Sequence, residues 1–370
     1  MPSSRFWSNP RVSSAVPGLP PGDGPRDLHR RLPGYAPTPV VDLPGIAAAV
    51  GVGRVVAKAE ISRFGLPSFK VLGASWATYR LLSARLGREP AWATIDDLAA
   101  LVAQELGPLR LAAATDGNHG RAVAHMARLL GLDATILVPE GTAAARIDGI
   151  AGEGAEVVVV DGTYDDAVAA SAALASDRTL VVSDTSWPGY EDPPRWVIEG
   201  YSTIFAELAE QGVVPDLAFV PLGVGALGAA AATALAPATT LVGVEPDTAA
   251  CVMAAVEAGE VVEVPGPHRS IMAGLNCGLA SPLALPTVAA GFTAFVAVDD
   301  DRTRAAVRSL AEAGLDVGET AAAALAGLTA LADDHDGAGL LTSGSTVLLL
   351  ATEGVTDPAN FERIVGRPPS

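Results

Sequence analysis

Residues 217–235 read LAFVPLGVGALGAAAATAL: an apolar run, a turn with glycines at 223, 225 and 228, then an alanine-rich segment. A short, wholly apolar run closed by a glycine turn suits a strand buried on both faces and leading into a helix. Eight further runs have the same character: RVVAKAE from Arg54, LRLAAAT from Leu109, ATILVP from Ala134, EVVVVDG from Glu156, TLVVSDT from Thr179, TLVGVEP from Thr240, TAFVAVD from Thr293 and TVLLLAT from Thr346. Helix starts lie between them, as at Thr94-Ile-Asp-Asp97 and Asp301-Arg-Thr. The alternation predicts an α/β chain with mainly parallel twisted sheets flanked by helices. Ligands of such sheets bind beyond the carboxyl ends of the strands. That singles out four loops: ATDGNHG (114–120), SDTSWPGY (183–190), PLGVGALG (221–228) and ATEGVTD (351–357).

A chain of 370 residues, 49% of them apolar, is long enough for two domains. Its formal charge of −18 argues against nucleic acid or an anionic membrane as partner, since phosphate would be repelled. A small-molecule ligand is expected. There is no long uncharged apolar run and no secretory pattern at the start, so the expected compartment is the cytoplasm. Cys251 and Cys277 are too few for a disulfide framework, although one bridge between them is conceivable, and with five scattered histidines they give no metal-ligand spacing. The first 25 or so residues are rich in Pro, Gly and Ser and read as an irregular arm.

The glycine turn lets a ligand approach the backbone at a helix N-terminus, where unpaired N–H groups favour a phosphate. Alone it also fits a dinucleotide fingerprint, with Glu245 as the ribose partner, and a nicotinamide-dependent dehydrogenase would follow. Lys70 argues otherwise. The chain has only two lysines, Lys58 and Lys70, and uses arginine elsewhere. Lys70 stands among Phe69, Val71 and Leu72, where apolar surroundings would lower its pKa and favour a Schiff-base amine. A primary amine, a single-phosphate loop and an α/β scaffold together point to pyridoxal 5'-phosphate. In the TDGNHG turn, backbone N–H groups could hold a substrate carboxylate and the Asn118 amide a cofactor oxygen.

SFKVLGA (68–74) resembles the cofactor-lysine segment of the tryptophan-synthase-like, fold type II pyridoxal phosphate enzymes, and DGNHG (116–120) resembles their asparagine loop. RFGL before the lysine, Asp116 in that loop and DTSW…GY resemble the diaminopropionate ammonia-lyase branch, with further similarity in SIMAGLNCG and GETAAAALAGL. The resemblance implies a two-domain enzyme with its cofactor in the cleft between domains. It implies an arm over 1–34, a large domain from 35–75 and 189–370, a small mobile domain over 76–188, and a homodimer. Residue by residue, Lys70 would bind pyridoxal phosphate covalently. Gly223, Val224, Gly225, Ala226, Leu227 and Gly228 would hold the phosphate, Asn118 the ring oxygen and Thr352 the ring nitrogen. Lys70, Asp116 and Asp184 would be catalytic, with Thr115, Asp116, Gly117, His119 and Asp184 around the substrate. Val355 departs from the acidic residue of the family pattern, and Ser68 from an alanine.

The implied reaction is α,β-elimination of ammonia from D- or L-2,3-diaminopropionate, giving pyruvate and two ammonia through aminoacrylate. A serine/threonine dehydratase, a β-replacement enzyme and an inactive cofactor-binding homologue share the scaffold. Two carboxylates favour a dicationic substrate over a hydroxy amino acid.

Overall fold

The computed structural model describes residues 4–18 and 24–370. The chain divides into two compact units: Met1–Pro20 with Pro37–Ser62 and Ile204–Ser370, and Pro21–Ala36 with Arg63–Thr203. Eleven strands are described: β1 (Arg5–Ser8), β2 (Val40–Asp42), β3 (Arg54–Ala59), β4 (Arg110–Ala114), β5 (Asp133–Pro139), β6 (Glu156–Val160), β7 (Thr179–Val181), β8 (Leu217–Pro221), β9 (Thr240–Pro246), β10 (Ala294–Val298) and β11 (Thr346–Ala351). Nine coincide with the apolar runs of the sequence. The other two, β1 and β2, are antiparallel edge strands that the sequence reading does not contain.

The first unit holds a seven-stranded sheet in the order β1-β10-β9-β8-β11-β3-β2, whose five inner strands are parallel. Every residue of β8 and β10 is buried, which is why both read as continuous apolar runs. Successive strands β8, β9 and β10 step one way from β8, whereas β11 lies on its other side. The loops after β8 and β11 therefore diverge at a topological switch point, where a ligand crevice opens in such sheets. Helix Glu319–Asp333 can lie close to this sheet because its residues are small. A Cβ on Gly327 would stand 2.3 Å from Val244 Cγ2.

The second unit has a four-stranded parallel sheet, β6-β5-β4-β7. Its switch point lies between β4 and β7, so the loops carrying Asp116 and Asp184 leave the sheet side by side. Helix Lys70–Leu86 belongs to this unit, whereas the sequence expectation put residues up to 75 in the large domain. The physical reason is close packing against helix Asp192–Glu210. A Cβ on Gly73 would lie 2.6 Å from the Tyr201 ring, and one on Gly200 would lie 2.4 Å from Leu72 O.

RFGL is a two-residue hairpin turn. Arg63 and Leu66 exchange backbone hydrogen bonds of 2.7 and 2.9 Å, and Phe64 and Gly65 have φ of 54° and 78°. Positive φ at both central positions defines a type I′ turn, which costs roughly 1 kcal/mol or more at a residue with a side chain. Burial of the Phe64 ring, whose centroid lies 6.0 Å from that of Tyr35, offsets the cost. The arm is less irregular than its composition suggests, because Arg5–Ser8 pairs with β10. The part of the arm over 1–3 and 19–23 lies outside the described residues. Helix starts deviate slightly: Thr94 and Asp97 form the expected capping box, but the later helix begins at Asp300 with Asp299 as its cap.

Candidate active site

Lys70 opens its helix after Phe69. Four-fifths of its side chain is buried, and Nζ donates to Asp184 Oδ2 at 2.6 Å. Burial alone would lower its pKa, but the charge of Asp184, with Tyr201 and Asp116 adding to it, outweighs that effect and raises the amine above its ordinary range. This corrects the expectation from its apolar sequence neighbours. The groups that decide its charge come from distant parts of the chain. Burial pushes Asp184 up, but the charge of Lys70, with hydrogen bonds from Lys70 and Tyr164, holds it well below the usual carboxylate range.

Asp184 follows β7, and the segment after it is braced by a tight turn. Trp187 and Tyr190 stack at 4.0 Å and exchange backbone hydrogen bonds of 2.9 and 3.3 Å. Tyr190 Oη accepts from Ser183 N at 3.1 Å and donates to Val181 O at 2.7 Å, fixing the backbone beside Asp184. DTSW…GY is therefore the frame of a carboxylate. Tyr164 adds a contact that no motif announced: its phenol donates to Asp184 Oδ1 at 3.0 Å.

The TDGNHG turn joins β4 to helix Asn118–Leu130, which starts earlier than the sequence suggests and places Asn118 and His119 in its first turn. Thr115 Oγ1 accepts from Gly117 N at 2.8 Å, shaping the loop. Gly117 has φ of 151° and its missing Cβ would stand 3.1 Å from Arg146 Cδ, so a side chain fits poorly there. Asp116 is half-buried and acts on the charge of Lys70. His119 Nε2 lies 2.8 Å from Val182 O, and a carbonyl only accepts, so Nε2 carries the proton. Its buried Nδ1 has no hydrogen-bond partner among the described residues, and burial pushes its pKa down, keeping the ring neutral.

The other expected residues lie in the first unit. Gly225 has φ of 98° and caps helix Ala226–Leu235, whose start has no side-chain cap, and first-turn N–H groups of a helix lack intrahelical partners. A Cβ at Gly223 would lie 3.0 Å from Gly274 O. Thr352 is buried, and its Oγ1 has no partner among the described residues. Glu245 is not a ribose partner: its two carboxylate oxygens accept from Val252 N and Met253 N, each at 2.8 Å. The second lysine, Lys58, is fully buried, donating to Thr38 O, Glu207 Oε2 and Gln211 Oε1 at 2.8, 2.8 and 3.0 Å. Cys251 and Cys277 are buried thiols.

An α/β fold with parallel sheets, a largely buried amine among carboxylates and a glycine-lined helix N-terminus agree with the family comparison. The chain belongs to the pyridoxal-phosphate dependent enzymes, whose family model matches residues 31–353. Within that family it is similar to diaminopropionate ammonia-lyase of Escherichia coli (strain K12), with 33% identity over 92% of this chain and 90% of that protein. The crystal structure of the Escherichia coli diaminopropionate ammonia lyase in complex with an aminoacrylate-PLP azomethine reaction intermediate matches with a TM-score of 0.88 and 30% identity, covering 99% of this chain and 97% of that one. The same enzyme in complex with D-serine matches with a TM-score of 0.89 and 30% identity, over 98% and 97% of the two chains. The fold is that of fold type II enzymes. Each unit by itself offers groups of the kind this cofactor needs: the second has Lys70 as an amine, and the first has a helix start after the Gly223–Gly228 turn and a buried Thr352 hydroxyl without a partner among the described residues. No described helix is long and apolar enough to cross a membrane.

Proposed function

We propose that this chain is a pyridoxal phosphate-dependent ammonia-lyase that eliminates ammonia from 2,3-diaminopropionate. The observation that carries the substrate is a pair of carboxylates: Asp184, 2.6 Å from the Lys70 nitrogen, and Asp116, in the loop after the adjacent strand β4. A site lined in this way suits a substrate with two amino groups better than a hydroxy amino acid. The similarity to diaminopropionate ammonia-lyases along nearly the whole chain supports the same reading. Serine and threonine elimination is the weaker alternative.

Bound pyridoxal phosphate supplies an electron sink that acidifies the substrate Cα–H. Lys70 would hold the cofactor, the Gly223–Gly228 backbone and the first-turn N–H groups of Ala226 and Leu227 would take its phosphate, Thr352 would meet the ring nitrogen and Asn118 the ring oxygen. The N–H groups of the Thr115–His119 turn hold the substrate carboxylate. The Lys70 amine takes the Cα proton on one face and Asp116 takes it on the other, which admits both enantiomers. Asp184 holds the β-ammonium as the Cβ–N bond breaks and ammonia leaves. The released enamine takes up water to give pyruvate and a second ammonia. The enzyme works as a cytoplasmic homodimer.

Pyruvate release from D- and L-diaminopropionate, serine and threonine, measured beside the absorbance spectrum, tests this reading. Diaminopropionate should be the best substrate. Asp116→Asn should depress turnover of the D form far more than the L form. Equal losses would reject the two-face assignment, and faster release from serine or threonine would reject the substrate.

A further inference from the structure

Asp184 is buried and its two oxygens have different partners. Oδ2 accepts from the Lys70 ammonium at 2.6 Å, and Oδ1 accepts from the Tyr164 phenol at 3.0 Å. A donor on each oxygen fixes the plane of a carboxylate as well as its position. The two donors differ in kind. Lys70 is the amine assigned to the chemistry above, whereas the Tyr164 phenol has no part in the bonds made or broken.

The phenol is itself held firmly. Tyr164 is the first residue of helix Tyr164–Ala172, which begins with a reciprocal cap between Thr163 and Asp166. Thr163 N donates to Asp166 Oδ2 at 2.7 Å. Ala167, one turn on, is completely buried in a cluster with Ala114 of β4 and Leu137 of β5. The helix start is thus anchored to the two strands beside the asparagine loop, and the Tyr164 ring is buried with it. A carboxylate left without a donor inside a protein costs more than the hydrogen bond itself is worth, so its remaining donor matters most when the other is engaged elsewhere.

We propose that Tyr164 is a positioning residue of this enzyme, its phenol holding Asp184 Oδ1 so that Oδ2 stays turned toward the Lys70 nitrogen and the substrate's β-amino group. The proposal rests on the elimination reading above. The titratable groups around Asp184 are Lys70, Tyr164, His119, Tyr190 and Tyr201, and among the tyrosines Tyr164 makes the direct side-chain hydrogen bond.

The test is Tyr164→Phe in the cofactor-loaded enzyme, alone and combined with Asp184→Asn. For diaminopropionate, kcat should fall about ten- to a hundredfold with KM changed much less, since a hydrogen bond to a charged group is removed from a group acting after binding. The acid limb of the kcat profile should move to higher pH, because Asp184 loses a bond that favours its ionised form. The pH at which the visible absorbance band of the resting enzyme titrates should move lower, because the carboxylate no longer faces the Lys70 nitrogen. In the Asp184→Asn background, Tyr164→Phe should cost less than about twofold more, since the two residues act as one unit. Full additivity of the two losses would make Tyr164 merely structural and overturn the proposal. An unmoved absorbance titration in Tyr164→Phe would overturn it too. That titration needs no substrate, so it decides the case even if the parent enzyme fails to release pyruvate from diaminopropionate, a failure that would strike the functional reading instead.

Discussion

Lys70 is set by what faces it. Its ammonium form is favoured by Asp184, Tyr201 and Asp116 despite burial, yet only the neutral amine can bond covalently to an aldehyde. Capture of pyridoxal phosphate by the cofactor-free protein should therefore quicken as pH rises, by roughly tenfold per unit below the pKa of the amine. Asp184→Asn removes the strongest charge holding the proton on and should speed capture at neutral pH. Stopped-flow absorbance reads both effects, and a pH-independent rate would show that proton loss from Lys70 does not limit capture. That Lys70 stands apart was legible in the sequence, since a chain with only two lysines keeps one at a helix start. Its charge was not, because Asp184 lies 114 positions away. Tyr164 was illegible for the same reason: locally it is one residue inside a well-capped helix, and only the fold brings it to Asp184.

At the scale of elements, the inner strands could be read because each is buried on both faces and so apolar throughout. The edge strands β1 and β2, of four and three residues, carry no such pattern and exist only through their neighbours. The turn and helix start after β8 were legible from their glycines, and the structure adds which glycine is conformationally constrained. Gly225 has φ of 98°, while a Cβ there would meet its nearest atom, Ala284 Cβ, at an ordinary 3.5 Å. The penalty for Gly225→Ala is thus one of backbone conformation, roughly 1 kcal/mol or more, and the turn should relax by rotating its N–H groups. Cofactor affinity should fall by about tenfold or more, measured by absorbance during titration of the cofactor-free protein, with the helix content unchanged.

At the scale of the molecule, the placing of helix Lys70–Leu86 in the second unit follows from packing that sequence boundaries cannot show: Gly73 and Gly200 let it touch the part of helix Asp192–Glu210 before Ile204 at their backbones. Stability should also carry the mark of one buried acid. Burial pushes Glu245 up to about 8 from an ordinary 4.5, although the N–H groups of Val252 and Met253 pull the other way. Between those values the folded chain keeps a proton that the unfolded chain has lost. The contribution of Glu245 is thus full below pH 4.5, and is lost as pH rises toward about 8. Glu245→Gln, neutral throughout, should flatten that decline in urea midpoints measured across the range. An unchanged slope would mean that Glu245 is ionised in the folded protein.

Lys58 is wholly enclosed, and Lys70, one-fifth exposed, is the other lysine in the chain. Apart from an α-amino group, amine-directed reagents thus find a single side chain to modify, and it is the one proposed above to hold the cofactor. A fluorophore or affinity tag attached through amine chemistry would mark that position stoichiometrically. Protection from labelling would then serve as an occupancy meter for the cofactor in a crude mixture, with no engineered handle.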